Sequence, residues 1–215
     1  MHIPDGFLDT KTWVTTAALS AVALGYAVRK TRDELGERQI PALGVLAAFV
    51  FAAQMVNFPI VGGTSGHLLG AVLAAVLLGP WSASIIITTV LAVQALFFQD
   101  GGITALGANV LNMGVIGVAV GYGIYRLVYG ITPNRTGRLV ATFIASWASV
   151  VAASLAASVE LAASGVLPFR VVAAAMLFWH VIIGLGEGVI TTAVVAYFAD
   201  RLVSWSPAAN PSVKG

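Results

Sequence analysis

From residue 13 to residue 201 this chain is a succession of apolar runs, most of them close to bilayer length, separated by short polar or glycine-rich breaks. Few folds accept such a sequence. In hydrocarbon every backbone N–H and C=O needs an internal partner, which leaves helices and closed barrels. A membrane barrel would show alternating segments of about ten residues. Here the runs are continuous, so helices are predicted. Composition agrees: the 215 residues are 59% hydrophobic and 9% charged, where soluble domains carry about 25% charge. The expected fold class is all-α, a polytopic helical bundle in a membrane.

Seven spans are expected, at about 13–28, 41–58, 68–79, 81–98, 104–129, 138–163 and 168–201. Residues 66–98 exceed the roughly 20 residues that cross a bilayer, and Gly79-Pro80 offers a natural break within them. Charge supports the division. With seven spans, Arg29, Lys30, Arg32, Arg38, Arg126, Arg135, Arg138, Arg201 and Lys214 share one side, against Lys11 and Arg170 on the other. By the positive-inside rule the N-terminus lies outside and the C-terminus in the cytoplasm. Residues 1–203 are expected to form a single transmembrane domain, and 204–215 a polar, disordered tail. The start carries Asp5 and Asp9 and only one lysine before the first apolar run, so no cleavable signal peptide is expected.

The chemistry concentrates in the first six residues, Met1-His2-Ile3-Pro4-Asp5-Gly6. A histidine at position 2 has the chain's own α-amine one residue away. The amine, the His2 backbone nitrogen and the imidazole can chelate one metal ion in a five-membered and then a six-membered ring. Planar nitrogen coordination suits Ni(II) or Cu(II) and leaves one corner open. Taken alone, His2 could equally be an exposed residue on a frayed terminus. Against that, Ile3 before proline is held extended and Pro-Asp-Gly signals a turn that folds the terminus back.

The fourth corner needs another donor. The chain has no cysteine and only three histidines, so the candidates are His67 and His180. The orientation puts residues 1–10, 59–67 and 99–103 on one outer side, while His180 lies about twelve residues into the last span. His67 is therefore expected to meet the terminus, and His180 is not. Met1, His2 and His67 are the candidate metal ligands. Gly62, Gly63 and Gly66 allow close backbone approach before His67.

Other features carry structural readings beside functional ones. His180 and Glu187 stand seven apart on one helix face; they could form a proton relay or lock the bundle. Asn109 and Asn112 can hydrogen-bond across helices as packing polar groups or support the metal site. Ala17, Ala21 and Gly25 make a small-residue stripe on the first span, suited to internal packing or to docking another membrane protein. No strand pattern, phosphate-cradling loop, serine–histidine pair or paired-aspartate arrangement is present. An enzyme, a nucleotide site and a nucleic-acid partner are all unexpected, and lipid is the surrounding partner.

Met1-His2-Ile3-Pro4-Asp5-Gly6-Phe7 resembles the N-terminal signature of the CbiM/NikM-type substrate-capture (S) components of energy-coupling-factor (ECF) cobalt/nickel transporters. So do Ser65-Gly66-His67-Leu68, Phe98-Gln99-Asp100-Gly101-Gly102, Leu106-Gly107-Ala108-Asn109, Asn112-Met113-Gly114, and His180 through Gly188. The resemblance covers nearly the whole chain except the tail. It implies capture of Ni2+ or Co2+ as substrate, with Met1, His2 and His67 as ligands and no organic cofactor. It also implies a bacterial or archaeal cell membrane, a transmembrane coupling protein, a pair of cytoplasmic ATPases and a small accessory membrane protein. The stripe on the first span would match the family's docking face. Two other readings remain: a metal-dependent intramembrane enzyme using His67, His180 and Glu187, and a proton-coupled carrier using Glu187. Nickel against cobalt stays open.

Overall fold

The computed structural model describes residues 1–36, 39–60 and 64–202, with side chains described as far as residue 198. Arg38, Gly62, Gly63, Arg201 and Lys214, together with the tail at 204–215, lie outside those limits.

The elements in chain order are α1 (Thr10–Glu34), α2 (Ile40–Gln54), β1 (Phe58–Ile60), β2 (Thr64–Gly66), α3 (Ala71–Leu78), α4 (Pro80–Val93), α5 (Leu106–Asn109), α6 (Val118–Ile131), α7 (Arg135–Ala163) and α8 (Phe169–Leu202). Two π-helical stretches extend the rods: Gln94–Phe98 continues α4, and Val110–Gly117 joins α5 to α6. Among the described residues four rods are long and apolar enough to cross a membrane: Pro80–Phe98, Leu106–Ile131, Arg135–Ala163 and Phe169–Phe198. The protein is an integral membrane protein.

Starts and stops follow local chemistry. Asp9 caps α1 by accepting from Thr12 N–H at 2.9 Å, and Asn134 caps α7 by accepting from Gly137 N–H at 2.8 Å. Proline opens α4 and stands in the first turn of α2, where its missing N–H costs nothing. α7 and α8 form a close antiparallel pair because glycine faces aromatic side chains. A Cβ on Gly188 would lie 2.8 Å from Phe143, and one on Gly184 would lie 3.0 Å from Trp147.

Two expectations change here. The break at Gly79-Pro80 is real, with Gly79 at φ +84°, but α3 has only eight residues. At 1.5 Å per residue it rises about 12 Å, far short of a bilayer. The apolar run at 68–79 is thus a loop plus a short helix, not a full span. The region expected to hold no strand contains an antiparallel hairpin, with Phe58 opposite Gly66 and Ile60 opposite Thr64.

The core gathers Met1, Ile3, Leu69, Ile87, Leu91, Met113, Leu161 and Met176, all fully buried. Its unusual members are Met1 and Ile3, because the N-terminus is packed inside the bundle.

Candidate metal-capture site

Residues 1–5 enter the bundle as extended chain, and loop groups satisfy their backbone. Ile3 N–H donates to Asn109 Oδ1 at 2.8 Å, and Asn109 Nδ2 donates back to the Ile3 carbonyl at 3.1 Å. Gly102 N–H also donates to the Ile3 carbonyl, at 2.9 Å. Asp5 accepts from Ile103 N–H at 3.1 Å and Thr104 N–H at 2.7 Å. Gly102 is required for this fit, since a Cβ there would lie 2.3 Å from the Asp5 nitrogen. The terminus does not fray: Met1 is 0% exposed and His2 3%.

The three nitrogens expected to chelate face one point. The Ser65 hydroxyl lies 3.2 Å from the Met1 amine, 3.2 Å from the His2 backbone nitrogen and 3.5 Å from His2 Nδ1. The amine also donates to the Ser65 carbonyl. His2 Nδ1–H donates to Asp100 Oδ1 at 2.9 Å, a proton that nitrogen must give up before it can bind metal, and Asn57 Nδ2 in turn donates to Asp100 at 2.7 Å. His67 is 2% exposed and stacks on His2, with ring centroids 4.4 Å apart and planes 16° from parallel. His67 Nδ1 lies 2.7 Å from the Leu68 carbonyl. A carbonyl only accepts, so Nδ1 carries the proton and Nε2 keeps a free lone pair. That buried Nε2 has no hydrogen-bond partner.

Burial also sets the protonation states. Desolvation holds the Met1 amine well below its ordinary value of 8.0, against the pull of Asp100. Burial likewise lowers His2, and it lowers His67 well below 6.5, with the amine's charge adding to the effect on His67. Asp100 stays below the usual carboxylate range: burial pushes it up, and the His2 hydrogen bond and the nearby positive charges outweigh that. Neutral amine and neutral imidazole are the forms that bind metal.

His180 was expected to sit too deep to meet the terminus; it is fully buried on α8, one turn beyond Met176. The chain at 64–70 runs along α8 instead of staying at the surface. Thr64 Oγ1 donates to Met176 Sδ at 2.9 Å, a Cβ on Gly66 would lie 2.9 Å from Ile183, and Glu187 meets Leu69 and Gly70. From Met176 to Glu187 is about 16 Å of helix. This descent fills the depth that α3 does not span. His180 donates through Nδ1 to the Met176 carbonyl at 2.7 Å.

Among the described residues no three His, Asp or Glu side chains gather to hold a metal ion. His67, His180 and Glu187 form no such group. Asn112 turns away from it, donating to Glu160 at 2.6 Å. Sequence reasoning gave no specific role to Ser65 or Asp100, and left Asn109 between helix packing and support of the metal site. Their signal was present as polar residues interrupting apolar stretches, but their partners are 63 to 106 positions away.

Residues 2–205 match the CbiM family, described as the cobalt uptake substrate-specific transmembrane region. The chain belongs to that family. A NikMN relative from Archaeoglobus fulgidus is 43% identical over 93% of this chain, which spans 65% of the relative's length. A fused nickel transport protein NikMN of Rhodobacter capsulatus is 40% identical over 92% of this chain and 61% of its own. The cobalt transport protein CbiM of Sorangium cellulosum is 34% identical over 94% of this chain and 92% of its own. The crystal structure of a truncated transition metal transporter is similar at a TM-score of 0.88 with 39% identity, covering 94% of this chain and 99% of that one. The S component of a bacterial ECF transporter shares the fold at a TM-score of 0.50 with 17% identity, covering 78% of this chain and 96% of that one. Apart from the ECF S component, these relatives are named for metal transport.

Proposed function

We propose that this chain is the substrate-specific membrane subunit of an ATP-driven ECF transporter and captures Ni2+ or Co2+ at the outer face of a bacterial or archaeal cell membrane. The observation that carries this reading is the convergence of the Met1 amine, the His2 backbone nitrogen and His2 Nδ1 on the Ser65 hydroxyl. Those nitrogens close the two chelate rings, and His67 Nε2 supplies the fourth corner. The metal is substrate, so the site must release it as well as bind it. Four nitrogens in a plane favour Ni(II), while cellular supply decides between nickel and cobalt.

In this reading the chain crosses the membrane seven times, counting the loop from residue 68 and α3 together as one crossing, with its N-terminus outside. ATP hydrolysis takes place in a separate pair of cytoplasmic ATPases. A transmembrane coupling protein connects them to this subunit, and a small accessory membrane protein completes the complex. The family membership and the NikMN and CbiM relatives support the assignment.

The experiment is a Ni2+ titration of purified protein carrying Gly-Ser-Gly-Ser before Met1, a length chosen because a single added residue would place the histidine third and create a new amine–amide–amide–imidazole chelate. The extension keeps every side chain but turns the amine into an amide. Loss of high-affinity binding is expected. Wild-type affinity in the extended protein would reject the chelate and hand the site to side chains alone.

A further inference from the structure

The segment carrying His67 is non-helical backbone inside the bundle, and such backbone persists there only when its polar groups are met by protein. Side chains from two helices meet them. Glu187 of α8 accepts from Leu69 N–H at 2.7 Å through Oε2 and from Gly70 N–H at 2.6 Å through Oε1. Gln54 of α2 donates to the Leu69 carbonyl at 2.8 Å. Both side chains are buried, at 3% and 0% exposure. Gly70 turns the chain at φ +76° against Val50, where a Cβ would lie 2.8 Å from a Val50 methyl carbon.

This clamp acts on the peptides that immediately follow His67. The His67 ring is fixed by its bond to the Leu68 carbonyl, and Leu68 is joined to the residue whose N–H Glu187 holds. Two N–H groups on successive residues suit one carboxylate with two acceptor oxygens. A glutamine in its place offers one acceptor and turns its NH2 toward the second N–H. Resting on the reading that His67 Nε2 is the fourth donor, we infer that Glu187 is a positioning residue: it fixes the Leu69–Gly70 turn and thereby aims the His67 imidazole at the N-terminal chelate. Glu187 does not touch the metal.

Satisfying buried backbone and aiming His67 are different roles, and a double-mutant cycle separates them. Ni2+ is titrated into full-length wild type, Glu187→Gln, His67→Ala and the double variant. With His67 present, Glu187→Gln weakens binding about 10- to 100-fold, the usual cost of losing a group that orients a ligand. In the His67→Ala background it changes binding less than about 2-fold. A second readout uses Cu2+ as probe. Nitrogen hyperfine structure in its electron paramagnetic resonance spectrum reports four nitrogens in wild type, and three with an oxygen in both Glu187→Gln and His67→Ala. Wild-type affinity with a four-nitrogen spectrum in Glu187→Gln overturns the inference alone. So does a loss of equal size with and without His67. Wild-type affinity in His67→Ala overturns the proposed metal site and the inference with it. If Glu187→Gln fails to fold, Glu187→Asp, one methylene shorter and able to reach one N–H, runs the same cycle with a several-fold loss expected.

Discussion

The imidazoles of His2 and His67 stack face to face, 4.4 Å apart at their centroids and 16° from parallel. The contact joins the first turn of the chain to the descending loop before α3, so it is made only when both segments are docked. Each ring buries the other and limits its rotation.

Removing either ring should therefore be costly. His2→Ala and His67→Ala each delete a proposed donor, and the loss of Ni2+ affinity should exceed the 10- to 100-fold typical of groups behind the ligands. Calorimetric titration checks this. A loss under about 10-fold for either variant would place the ion elsewhere.

Asn109 makes a reciprocal pair of hydrogen bonds with Ile3 at the inner end of the docked segment. Asn109→Leu leaves a buried N–H unpaired and takes a donor from the Ile3 carbonyl, at about 1–3 kcal/mol for each unsatisfied group. The segment should undock. Amide hydrogen exchange at residues 2–5 should speed up and Ni2+ affinity should fall, while α7 and α8 keep their protection. Unchanged exchange at Ile3 would show that Gly102 suffices to hold it.

The pH response has a definite sign. The amine and both imidazoles are bases whose values are lowered by burial, so the docked terminus binds fewer protons than an exposed one. Docking is at full strength above the ordinary values of 8.0 and 6.5 and weakens as pH falls through them. Burial holds the amine toward its uncharged form, so Ni2+ binding to the docked terminus should release fewer protons than binding to an undocked one. An undocked terminus would release about two. Titration in buffers of different ionisation enthalpy counts them.

The absence of cysteine makes topology simple to test. Lys11 and Asp33 are exposed at opposite ends of α1. Lys11→Cys should react with an impermeant thiol reagent from outside intact cells, and Asp33→Cys only after permeabilisation. Labelling of both from one side would refute the proposed crossing.

The small-residue stripe of α1 divides in the structure. Ala17 packs against Gly107, where a Cβ would lie 2.4 Å from Ala17 Cα, whereas Ala21 is exposed and Gly25 has nothing within 4 Å. Ala21→Leu should leave Ni2+ binding by the isolated subunit intact and abolish uptake by the assembled transporter. Weakened binding by the isolated subunit would mark Ala21 as internal packing instead.

The membrane class, the helical content and the potential of the terminus to chelate are legible in the residues alone. Apolar runs of bilayer length admit few alternatives, and a histidine next to an α-amine can close chelate rings by covalent connection alone. Three histidines and no cysteine leave His67 and His180 as candidate partners, and the expected orientation favours His67. Tertiary structure decided the depth of the site. Hydropathy cannot tell an apolar loop from an apolar helix, so residues 68–79 read as a span. In fact the loop descends along α8 to bonds with Glu187 and only then turns into the eight-residue α3. That descent gives Glu187 and Gln54 their work. The physical reason is that backbone groups entering a membrane core must find partners, and here those partners lie 15 and 118 residues away from Leu69.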